Sequence, residues 1–159
     1  MMRTIRAAVS TAILEREARK HLTARDRRHT QRLLPARKRR VQRTHRDDEP
    51  IAMQLQLFHA RLNNERFEGK LKPIAVRVSR RMRSRLGHYA PAQRGAPAEI
   101  AVSKSHVKRH GFEQAVLTLL HEMVHQWQDE TGRVLDHGAE FRAKAREVGI
   151  TARAARAVD

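Results

Sequence analysis

His121, Glu122 and His125 sit inside "LTLLHEMVHQWQ" (117–128), a run that is otherwise largely apolar. On a helical wheel with a step of about 100° per residue, His125 falls roughly 40° from His121, and Glu122 roughly 100° from it. Leu119, Met123, Val116, Trp127, Leu120, Val124 and Leu117 occupy the other side. Residues four apart stand one turn above each other, so both imidazoles reach a single ion. Zinc binds imidazole nitrogen at about 2.0–2.1 Å and takes four ligands. Two protein ligands from this helix leave room for a third and a water. The ion lowers the pKa of that water to about 7 and polarises a carbonyl. Glu122 is not needed as a ligand; beside the water it serves as the general base and hands the proton to the leaving amine. The expected chemistry is peptide-bond hydrolysis through a metal-activated water, on a protein or peptide substrate, with one Zn2+ per chain.

A bare HExxH pattern arises by chance in a chain of this composition about 4% of the time, so the spacing alone is a hypothesis. The competing reading is a helix with polar residues on its solvent face. Two observations weigh against it: the pattern is in phase with a strongly apolar face, and a further histidine follows in "LDHGAEF". His137 comes 12 residues after His125, with "ETGR" allowing the chain to turn back. It is the preferred third ligand. Glu140 is the rival, since a His-His-Glu site is sound zinc chemistry. Asp136 reads as a helix cap or as an acceptor behind the ligands.

These residues need elements to hold them. The acids Asp47, Asp48 and Glu49 before Pro50 read as the capped start of a helix, continued by "IAMQLQLFHARLNNERF" with Leu55, Phe58 and Leu62 on one face. "PIAVRVS" predicts a strand over 74–79, "LGHYAPA" a second and "EIAVSK" a third over 99–104, with "QRGAPA" as the turn. Gly111 breaks the chain before a long helix over 112–130 that stops at Gly132. A last helix is expected over 138–147. Helix, three strands, helix, helix predicts an α+β domain.

The chain has 159 residues, 34 Lys+Arg, 17 Asp+Glu and a net charge of +17. That excess points to a polyanionic partner, DNA or RNA. Residues 1–49 carry 15 Lys/Arg against 6 acids, so more than half of the excess sits in a third of the chain. We read residues 1–49 as a basic arm, disordered or loosely helical, and residues 50–159 as the folded domain. Ile5, Val9 and Ile13 suggest a helix over 4–22 within the arm. Arg37, Lys38, Arg39 and Arg40 are candidate phosphate contacts there, joined in the domain by Arg80, Arg81, Arg83, Arg85, Lys108 and Arg109; ordinary surface charge is the competing reading. Tyr89 is a candidate oxyanion stabiliser, weighed against a packing role. The other histidines show no ligand spacing and read as surface or satisfied structural residues. The sequence contains no cysteine, which excludes disulfides and Cys-ligated zinc. It contains no run of 18 apolar residues, so no membrane partner is expected. A cytoplasmic or nucleoid-associated location is the expectation. A nucleic-acid-binding protein with a structural zinc, and a general peptidase with a basic tether, are the alternatives.

"TLLHEMVHQWQDETG" followed by "DHGAEFRAKAREVGI" resembles the SprT-like family, whose pattern is a HExxH helix and then a His-Gly-x-x-Phe segment supplying the third zinc ligand. "FHARLNNERFEGKL", "VRVSRRMRSRLGHYAP" and "EIAVSKSHV" are similar to the family's opening helix and strands. The resemblance spans about residues 51–150. It implies a small zincin-like metalloprotease domain with His121, His125 and His137 as ligands and Glu122 as the base. For Spartan-type members it further implies action on DNA-bound proteins, including DNA–protein crosslinks. The Cys-rich zinc ribbon of many members is not possible in these residues.

Overall fold

The computed structural model describes residues 41–150. The expected arm helix, Arg37, Lys38, Arg39, Arg40 and residues 151–159 lie outside the described residues. A 3-10 turn (Arg46–Asp48) leads into α1 (Glu49–Arg66), then β1 (Ala75–Ser79), β2 (Gly87–Ala90), β3 (Glu99–Ser103), α2 (Lys104–His110), α3 (Phe112–Glu130) and α4 (Ala139–Glu147). The class is α+β, as the element order predicts.

The sheet runs β1-β3-β2. β3 lies in the middle, parallel to β1 and antiparallel to β2, with Ile100 opposite both Val76 and Tyr89. A strand flanked on both edges and covered on both faces favours apolar residues, and every residue of β3 is buried, with Ile100, Ala101 and Val102 between a polar Glu99 and Ser103. α3 packs against β2 and β3, while α1 packs on β1 and α3. Leu55, Val78, Ile100, Val102, Leu119, Met123 and Phe141 form the centre of one continuous core.

Two local expectations are corrected, the capping acids and the end of β3. The acids before Pro50 do not cap α1: Asp48 makes no capping bond, and its buried carboxylate accepts from Arg80 Nε at 2.6 Å and pairs with Lys104 Nζ at 2.9 Å. Two cations outbid the helix amides for this carboxylate. On α1, Leu55, Phe58 and Leu62 pack on the core as expected, Phe58 half-buried and edge-on to Phe112, with His59 buried beside them. Lys104 ends no strand but opens α2, whose N-cap Ser103 accepts from His106 N at 3.4 Å. With Val107 as its one large apolar residue, α2 shows no hydrophobic period to read. Gly111, at φ 86°, closes α2 and opens α3, a backbone conformation that glycine adopts without strain.

Candidate metal centre

α3 carries His121, Glu122 and His125 as its apolar phase requires, but this polar side is largely covered, with His125 half-buried and all three on the wall of a cleft. His121 is 2% exposed and Glu122 5%. Two elements cover it. β2 runs along the Glu122 side, and α4 places Phe141 beneath the imidazoles. The Phe141 ring lies 4.8 Å from that of His121, 4.7 Å from that of His125 and 4.7 Å from that of His137, centroid to centroid. One aromatic ring thus walls in all three histidines and excludes water from one side.

The turn after α3 brings His137 back over the helix. His137 Nε2 lies 3.1 Å from His121 Nε2 and 3.0 Å from His125 Nε2. Ligand atoms on a tetrahedral zinc with bonds of about 2.0–2.1 Å stand roughly 3.3–3.4 Å apart. Two of the three separations are close to that spacing, and all three donor atoms lie within 4.8 Å of one another, a grouping that could hold such an ion. Burial first, and then the neighbouring imidazoles of His125 and His137, push His121 down to about 3. Its ring is neutral at pH 7, the form that binds metal. Among the described residues, His121, His125 and His137 are the group whose donor atoms gather in this way. Glu140, the rival ligand, is exposed and pairs with Arg133 Nε at 3.6 Å.

Glu122 Oε2 accepts from the Tyr89 backbone N–H at 2.7 Å. Gly87 makes that approach possible. A Cβ at position 87 would stand 2.8 Å from Glu122 Oε1 and 2.6 Å from Thr118 Cγ2. The glycine is therefore needed for space rather than for its dihedral freedom. The metal-facing histidines, Glu122, Gly87, Tyr89, Pro91 and Leu135 line one open cleft of about 490 Å3, with Arg85 and His88 also on its wall.

The other expected site residues are dispersed. The Tyr89 hydroxyl donates to Asp129 Oδ2 at 2.6 Å, so its single proton is engaged away from an oxyanion. Asp136 Oδ1 accepts from Gly138 N at 2.9 Å, bridging the two neighbours of His137, while α4 itself has no side-chain cap. Arg80 and Arg81 line a separate cleft of about 670 Å3 along β1, the sheet edge opposite β2, together with Arg43 and Arg77. Arg77 there is paired with Glu99 at 3.1 Å, and Arg80 with Asp48. Arg83 is exposed between the strands, and Lys108 and Arg109 are exposed on α2. Gly87, Phe141 and Gln128 carry the site without having been singled out as site residues in the sequence. A glycine opening a strand pattern marks close backbone approach, and that was the available signal for Gly87.

The α+β fold is that of a zincin-type domain, with three histidines that could hold a metal ion. The SprT-like family model matches residues 55–158, more than half of the chain, and the protein belongs to the SprT-like family. A comparison with curated proteins finds no match.

Proposed function

We propose that the protein is a zinc endopeptidase in which Glu122 is the general base, and that it acts on DNA-associated or DNA-crosslinked proteins. The observation that carries the reading is the convergence of three imidazole nitrogens beside a buried carboxylate in one open cleft. Zinc bound by His121, His125 and His137 would supply Lewis-acid polarisation of a carbonyl and a water acidic near neutral pH. The chain's own residues supply the rest. Glu122 receives the proton and delivers it to the departing amine. The Tyr89 N–H holds the Glu122 carboxylate in place at the cleft. Phe141 keeps water off the back of the imidazoles. A structural zinc has no use for a base beside an open position, and Glu122 lines the cleft instead of closing it.

The DNA part of the proposal rests on the charge of +17 and on the basic residues along the two clefts, with Arg85 beside the metal and Arg43, Arg80 and Arg81 along β1. Phosphate contacts of this kind position a protein on nucleic acid without reading its sequence.

The test is cleavage of a DNA-binding protein, free or crosslinked to DNA, by the zinc-loaded enzyme with and without DNA. Glu122→Gln is the control. We expect DNA-stimulated cleavage that falls about 10²–10⁴-fold in Glu122→Gln with zinc retained. Equal cleavage by that variant would sink the mechanism. Cleavage indifferent to DNA would leave a general peptidase.

A further inference from the structure

Gln128 lies one turn beyond His125 on α3 and is 0% exposed. A buried amide is costly unless its polar atoms are met, and here both sides are. Its Nε2 lies 3.1 Å from the Asp136 carbonyl oxygen and 3.5 Å from Asp136 Oδ1. Both of those atoms only accept, so the NH2 side of the amide faces them. That leaves Oε1 against His125 Nδ1, at 2.8 Å. Oε1 also only accepts, so His125 carries its proton on Nδ1 and a lone pair on Nε2. That Nε2 is the atom turned toward His137.

The same amide fixes the other ligand. His137 follows a loop whose large apolar residues, Val134 and Leu135, are exposed; its ring rests on Phe141 and its carbonyl accepts from Arg142 Nη1 at 3.2 Å, so the backbone before it is held by polar contacts. Its preceding peptide group is tied through Asp136 O to Gln128, and its following one through Gly138 N to Asp136 Oδ1. His121 differs, since its buried Nδ1 has no hydrogen-bond partner.

We infer that Gln128 is the positioning residue of the metal centre. It selects the metal-binding tautomer of His125 and anchors the loop that carries His137. The inference rests on the reading of the histidine triad as a zinc site. Outer partners of this kind typically change metal affinity by about 10–100-fold.

The experiment compares the full chain with Gln128→Leu and Gln128→Glu by two readouts. Zinc affinity is measured by competition with a chelator. The tautomer of His125 is measured in zinc-free protein by imidazole nitrogen NMR. Wild type should show one tautomer, protonated at Nδ1. Gln128→Leu should mix the tautomers and weaken zinc by about 10–100-fold. Gln128→Glu keeps an acceptor for Nδ1–H but loses the donor to Asp136. It should retain the tautomer and still bind zinc more weakly than wild type. Wild-type zinc affinity in either variant would overturn the inference, and so would an unchanged His125 tautomer in Gln128→Leu. If the leucine variant does not fold, the near-isosteric glutamate carries the decision by its zinc affinity. A wild-type protein that takes up no zinc would instead overturn the metal reading beneath.

Discussion

α3 buries two polar clusters that look alike in the sequence and differ in what they leave facing outward. Around Gln126 the network closes on itself. His59 Nε2 donates to Gln126 Oε1 at 2.8 Å, and Gln126 Nε2 donates to Lys72 O at 2.8 Å and Glu130 Oε1 at 2.7 Å. Glu130 in turn accepts from Lys72 N at 3.0 Å. Burial lowers the pKa of His59, and the Gln126 bond offsets part of that. This cluster joins α1, α3 and the entry to β1. At the His121 and His125 pair, by contrast, His125 is bonded at the back of the site through Nδ1 to Gln128, and the Nε2 atoms of both turn toward His137 in a cleft. A buried histidine is therefore not the mark of a site; the direction of the nitrogen its neighbours leave over is.

The largest effect that sharpens this contrast is the loss of cleavage in Glu122→Gln. The next comes from Gly87→Ala, which drives a methyl group against Glu122 and Thr118. Displacing a catalytic group by about 1 Å costs on the order of 10²-fold in rate, and overpacking costs about 1–3 kcal/mol in stability. We expect cleavage to fall by about that factor with zinc content unchanged; full activity would remove Gly87 from the site.

The closed cluster should respond in the opposite way. His59→Leu leaves the Gln126 carbonyl buried without its donor, a loss of about 1–3 kcal/mol. Denaturant unfolding should register it while zinc stoichiometry stays at the wild-type value. Loss of zinc in this variant would mean that the two clusters are one.

The smallest effect concerns a second closed cluster, Asp48 with Arg80 and Lys104. The hydrogen bond from Arg80 leads the causes that bring Asp48 down to about 2. Its folded-state pKa lies below the unfolded value of about 3.9, so its contribution is present above about pH 4 and lost as pH falls to about 2. Both cations are partly exposed, which screens the pair. We expect Asp48→Asn to cost about 1–2 kcal/mol at neutral pH. The difference from wild type should shrink as pH falls from about 4 through about 2; a difference as large at pH 2 as at neutral pH would reject this ion-pair account.

What the sequence made legible follows from the range of the interactions. His121, Glu122 and His125 are local, because one helical period places them. β3 is legible because burial on both faces leaves a short β-branched run. His137 was nominated by the glycine-marked turn before it, with Glu140 still open; only the fold takes Glu140 away to Arg133. Residues whose role depends on a partner distant in the chain stayed hidden. Asp48 looked like a helix cap because its cations lie 32 and 56 positions away. Gln126 and Gln128 drew no reading from the sequence, because what buries them comes from α1, the entry to β1 and the turn after α3. Phe141 reads as one more core residue in a nine-residue helix, and three imidazoles around it give it a second task.

The most direct test of the contrast between the two clusters is the zinc content of the purified, folded chain, measured for wild type, His137→Ala and His59→Leu. One zinc per chain in wild type and in His59→Leu, and none held tightly in His137→Ala, is the expected result. Zinc absent from the wild type, or retained stoichiometrically by His137→Ala, would contradict the three-histidine centre on which the proposed chemistry stands.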